Sequence, residues 1–171
     1  MSIRTNTQNQ LDSSPVSVRA KLAAAWTSFM FLYIYVDVLG LYKPGVIDGI
    51  LNGRIWTFDI SSTLLTVFLV SVSIPALMVV LSMALPARVN RVANLIVASL
   101  LIPYSIFNAA GETWEWAAFY GISIGIEVLI LAFILRCALT WPRTIAASAD
   151  SATASRARIA WVASSPPITG I

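Results

Sequence analysis

Histidine is absent from this chain, and cysteine occurs once, at Cys137. The lack of His excludes the common zinc sites, His-ligated haem, and Ser-His or Cys-His nucleophilic catalysis. A single Cys forms neither an intrachain disulfide nor a thiolate cluster. There is no Walker phosphate loop, no dinucleotide glycine fingerprint and no HExxH zinc motif. These absences predict no enzyme, no metal site and no cofactor. Charge is scarce as well. Charged residues make up 11% of the 171 positions, against about 25% in a soluble domain. The net charge is only +3, and the basic residues are scattered rather than interleaved with aromatics. That pattern predicts no nucleic-acid partner.

What fills the chain is apolar: 58% of it is hydrophobic. Four long runs emerge, between Lys21 and Lys43, Asp59 and Arg88, Arg91 and Glu112, and Glu115 and Arg136. The first reaches roughly 32 Å as a helix, about one hydrocarbon thickness. It exceeds the core of a signal peptide and lacks a small-x-small cleavage site, so it reads as a retained helix. The expected fold is all-α: a polytopic membrane protein with four antiparallel transmembrane helices, near 22–42, 60–85, 90–110 and 115–139. Residues 1–20 form a polar arm, 21–142 the membrane domain, and 143–171 a disordered tail.

Basic residues orient the bundle. Arg4, Arg19, Lys21, Arg88, Arg91, Arg136, Arg143, Arg156 and Arg158 fall on one side, and only Lys43 and Arg54 on the other. Positive-inside predicts that both termini are cytoplasmic, in a bacterial cell membrane. The connection PARVNR, 86–91, is a tight turn that makes the second and third helices neighbours. Residues 43–59, with Gly45, Gly49 and Gly53, read as a partly ordered external loop at the interface. Trp56, Trp114, Trp116, Trp141 and Tyr42 fall near span ends, as an aromatic belt requires.

Two carboxylates interrupt the spans. Glu127 lies alone near the middle of the stretch Trp116 to Leu135. A charge at a helix centre costs roughly 2.5 to 3.5 kcal/mol on insertion scales, so such a residue is a functional candidate by default. Tyr120, Ser123 and Glu127 share one helix face. Gly121 and Gly125 form a GxxxG pair on roughly the opposite face, suited to a neighbouring helix, a second copy or a membrane partner. No Lys, Arg or His lies inside any span, so Glu127 has no buried counter-ion. Two readings stand. Glu127 is a proton or cation site near the midplane, or it is an uncharged acid that bonds across helices to Asn108, Tyr33 or Ser105. Asp37, with Tyr33 one turn earlier, lies closer to the boundary, and pairing with Lys43 or Arg54 is its expected fate. Pro75 and Pro103 free the carbonyls of Ser71 and Ser99, which nearby Ser hydroxyls are placed to meet.

The runs YIYVDVLGLYKPG at 33–45, IPALMVVLSMALPARVNRVAN at 74–94 and IEVLILAFILRCALTW at 126–141 carry a resemblance. They resemble a family of small bacterial four-helix membrane proteins, domain-of-unknown-function family 6326. The resemblance covers about Trp26 to Trp141 and leaves out the tail after Arg143. It implies a four-helix integral membrane protein and no particular activity. Asp37, Asn90, Arg91, Asn94 and Glu127 match its polar pattern, with Asn90, Arg91 and Asn94 in the cytoplasmic hairpin. Three functions follow in descending order. One is proton-linked or small-solute transport through Glu127. The next is a structural or partner-binding membrane subunit. The last is a quinone-reactive enzyme subunit. Membrane lipid is a partner under all three.

Overall fold

The structure, a computed structural model, describes residues 16–110, 112–141 and 155–156. Most of the expected arm and tail therefore lies outside the described residues. The chain divides into two units, Met1–Trp141 and Pro142–Ile171, and the fold that follows is that of the first.

Four long helices carry it: α1 (Val18–Gly40), α3 (Ser62–Ala84), α4 (Ala87–Phe107) and α5 (Ala117–Leu139). All four are long and apolar enough to cross a membrane. The helix is what such sequences must form there, because lipid offers nothing to an open backbone N–H or C=O. α1 starts at Val18, inside the expected arm, because Ser17 caps it: its Oγ accepts from the Ala20 N–H at 3.2 Å. Ser61 caps α3 in the same way, through the Leu64 N–H at 3.1 Å.

The α1–α3 connection is more ordered than expected. It holds a short helix, α2 (Val46–Leu51), and a hairpin of β1 (Arg54–Ile55) and β2 (Phe58–Asp59). The strands pair antiparallel, Arg54 with Asp59 and Ile55 with Phe58, which leaves Trp56 and Thr57 at the tip. Such a two-residue turn needs positive φ, and Trp56 adopts φ 56° where Asn or Gly is usual. The α3–α4 turn is tighter than expected, only Leu85 and Pro86. Asn90, Arg91 and Asn94 are consequently not hairpin residues; they occupy the first two turns of α4. A 3-10 turn, Trp114–Trp116, leads into α5.

The helices run up and down in a ring. α1 packs on α3 and α5, and α4 packs on α5. The α3–α4 pair is the least extensive of the four, although its turn is the shortest. The terminal end gathers the start of α1, the α3–α4 turn and the end of α5; the loop end is its opposite. The apolar core sits towards the terminal end, in Leu22, Trp26, Phe29, Met78, Leu131 and Ile134. Trp26 meets Phe29 edge-on, ring centroids 5.9 Å apart, and Phe29 stacks on Tyr33. Large apolar side chains such as Leu69, Leu100 and Leu129 point outward along the helices. Lipid tails, not water, are the medium that suits such a surface.

Candidate functional site

Two polar layers cross this bundle. Near the terminal end, Trp26 Nε1 of α1 donates to Asn94 Oδ1 at 2.7 Å. Asn94 Nδ2 donates to Asn90 Oδ1 at 2.6 Å, and Asn90 Nδ2 donates to the Ser82 carbonyl of α3. Trp26, Ser82, Asn90 and Asn94 are all 0% exposed. Arg91 Nε adds α5 by donating to the Ala138 carbonyl at 3.0 Å, and Arg19 ties α1 to the Met83 carbonyl at 2.9 Å. In the low dielectric of this core each bond is worth more than at a wet surface, and each is costly to break.

About 15 Å further along α4 lies the second layer. Ser71 Oγ of α3 donates to Tyr104 Oη at 3.1 Å, and Tyr33 Oη of α1 donates to the same oxygen at 3.3 Å. Asn108 lies beside Tyr33. All four are half-buried. Ala98, Leu101, Phe29 and Leu131 form the apolar belt between the layers.

Glu127 sits on α5 at the edge of that belt and is 3% exposed. Ser123, one turn earlier on the same face, is buried too. The nearest polar partner comes from α4: the Ser105 hydroxyl is beside the carboxyl. Ser105 is 0% exposed, and its hydroxyl is the group placed to hydrogen-bond the Glu127 carboxyl.

Asp37 does not reach the expected arrangement. It is exposed on α1, one turn beyond Tyr33, yet close enough for its charge to act on both Tyr33 and Glu127. Nor does it pair with a loop cation. Arg54 pairs with Asp59 at 3.4 Å, and Lys43 pairs with Glu112. The Lys43 ammonium also donates to Tyr120 Oη at 3.3 Å and lies 5.2 Å from the Trp116 ring centroid. This clamp ties the end of α1 to the start of α5. Burial alone would lower the Lys43 pKa, but the bonds to Glu112 and Tyr120 outweigh it and hold the ammonium above its ordinary value. Tyr120 thus turns towards the clamp, while Ser123 and Glu127 on its stripe face the interior.

The remaining expectations fall as follows. Gly121 and Gly125 are exposed, and a Cβ built on either meets nothing within 4 Å, so neither packs closely against another helix among the described residues. Ser73 Oγ donates to the Leu69 carbonyl and Ser71 Oγ to Tyr104, so neither hydroxyl meets a proline-freed carbonyl. Among the described residues no cluster of three or more acidic or Cys side chains is placed to hold a metal. The partners that composition did not reveal are Trp26 for Asn94, Tyr104 for Tyr33, and Glu112 for Lys43. The first pair had a signal, since buried Trp N–H and Asn side chains each require a partner.

Four apolar spans, polar residues turned inward and an acid at mid-depth define a polytopic helical membrane protein. Residues 16–148 match the model of the family of unknown function DUF6326, and the chain belongs to that family. No curated protein and no solved structure matches it.

Proposed function

We propose that this protein carries protons, or a small solute together with a proton, across the bacterial cytoplasmic membrane, with Glu127 as the group that binds and releases them. The reading is supported above all by the Glu127 carboxyl, 3% exposed at mid-depth, with no Lys, Arg or His inside any span to pair with it. The half-buried hydroxyls of Tyr33, Tyr104 and Ser71, with Asp37 beyond them, suit a polar route from the loop end to Glu127. Intramembrane acids commonly serve such relays. The Trp26–Asn94–Asn90 layer closes the opposite route, so transport requires that layer to part. Positive-inside puts the terminal end, with Arg19, Lys21, Arg88, Arg91 and Arg136, in the cytoplasm. The reading involves no enzymatic chemistry.

A test is proton flux into proteoliposomes loaded with a pH-sensitive dye. The wild-type chain should dissipate an imposed pH gradient. Glu127→Gln should fold equally well and pass none, because Gln copies the shape of the neutral acid and cannot titrate. Equal flux from the two proteins removes Glu127 from the mechanism.

A second reading, a partner-binding membrane subunit, draws on the open faces of Gly121 and Gly125. Close approach of another helix there would bury both. Co-purification of a membrane partner that Gly121→Leu and Gly125→Leu abolish would favour it.

A further inference from the structure

A groove of about 530 Å³ runs along the outside of the bundle between the first half of α1 and the second half of α5. Its floor is the row Ala20, Ala24 and Ser28, and Leu129 and Phe133 of α5 form its wall. Small residues at four-residue spacing leave the α1 backbone low, and the bulky α5 side chains stand above it. From Ala20 to Ser28 the floor measures roughly 12 Å, close to the ~15 Å hydrocarbon depth of one leaflet.

The groove has a charged mouth at one end only. Lys21 lines it at the terminal end and is exposed. Arg136, also exposed, lies one turn beyond Phe133 on the same side of α5, since residues three and seven apart share a helix face. Neither makes an ion pair among the described residues. Lys21 lies in the first turn of α1 and Arg136 in the last turn of α5, at the same end of the bundle.

We infer that this groove is a binding site for an anionic phospholipid, whose acyl chain lies on Ala20, Ala24 and Ser28 and whose phosphate meets Lys21 and Arg136. Basic pockets between helices at one membrane face are suited to anionic headgroups. A second copy fits less well. In one membrane a twofold partner seated here would bring its own Lys21 and Arg136 to the same depth, placing like charges together in a poorly solvated region. An anionic lipid neutralises the same charges. The inference is independent of Glu127, which faces the bundle interior.

The test uses the purified full chain in detergent, offered phosphatidylglycerol or phosphatidylcholine with identical acyl chains, with retained lipid counted by native mass spectrometry. Wild type should retain phosphatidylglycerol over phosphatidylcholine by on the order of tenfold, as two interfacial cations would produce. The double variant Lys21→Gln, Arg136→Gln should lose that preference and retain both lipids equally. Ala24→Phe, which fills the floor, should lower retention of both. Equal retention of the two lipids by the wild type overturns the site without recourse to any variant. So does disulfide crosslinking of Ala24→Cys into a dimer in membranes, which would make a second copy the occupant.

Discussion

At the terminal end, Trp26, Asn94, Asn90 and Ser82 join three helices through fully buried bonds; at the loop end, Tyr33, Tyr104 and Ser71 join the same three through half-buried ones. The difference lies in what surrounds the bonds. Leu22, Phe29, Met78 and Ile134 of the core are at most 2% exposed, whereas Tyr33 and Tyr104 are only partly buried where they pack against that core. The polar bonds between these helices are thus sealed at one end and half-buried at the other, and Glu127 sits between the two ends. The comparison teaches that polar groups inside a membrane bundle do two jobs. Where apolar side chains enclose them they fix the packing. Where they are half-buried they join the helices without being sealed from the surface.

The largest effect that sharpens the contrast is expected at Trp26. Trp26→Ala empties a site that is 0% exposed and strips Asn94 of its donor. Large-to-small changes of this kind cost about 3–5 kcal/mol, readable as a shift in the denaturation midpoint in detergent. Asn94→Ala should follow at about 1–3 kcal/mol, because it leaves the Trp26 N–H buried without an acceptor. Tyr104→Phe should be smallest, about 1 kcal/mol for the two interhelical bonds its hydroxyl accepts, at the typical ~0.6 kcal/mol each in a membrane protein. A Tyr104→Phe cost equal to that of Trp26→Ala would erase the distinction between the two ends.

Between these extremes lies the loop-end clamp, which carries a pH signature. The Lys43 pKa is raised in the folded protein above its ordinary 10.5. Its stabilisation is therefore fully present below pH 10.5 and is lost as pH rises through the higher folded value. The difference in thermal midpoint between wild type and Lys43→Met should stay flat from neutrality to that point and vanish above it. A difference that fades in the neutral range would assign the clamp to another group.

Length and hydropathy made the spans legible, since few sequences without charge over twenty residues have another stable form. The acid at mid-depth was legible for the same reason: Glu127 stands out against apolar neighbours. The partners were harder to read. Lys43 had three carboxylates within reach along the chain, Asp37, Asp48 and Asp59, yet Glu112 meets it, because the α4–α5 turn returns to the end of α1. Asp37 was expected to pair with Lys43 or Arg54, but those cations meet Glu112 and Asp59, and Asp37 is left exposed at the loop end of α1. Asn90 and Asn94 were visible as part of a shared pattern, but their burial depends on a turn two residues long that starts α4 earlier than hydropathy suggests. The ordered α2 and the hairpin at Trp56 were missed because six-residue helices and two-residue strands leave no usable period.

The claim at the centre of this account is that Glu127 is reached from the loop end and closed off from the terminal end. Replacing Glu127 with Cys, in a Cys137→Ser background, allows that access to be measured with a small membrane-impermeant thiol reagent applied to one side of sealed vesicles at a time. The account predicts modification from the loop side and protection from the terminal side. Modification from the terminal side, or from neither, would contradict it.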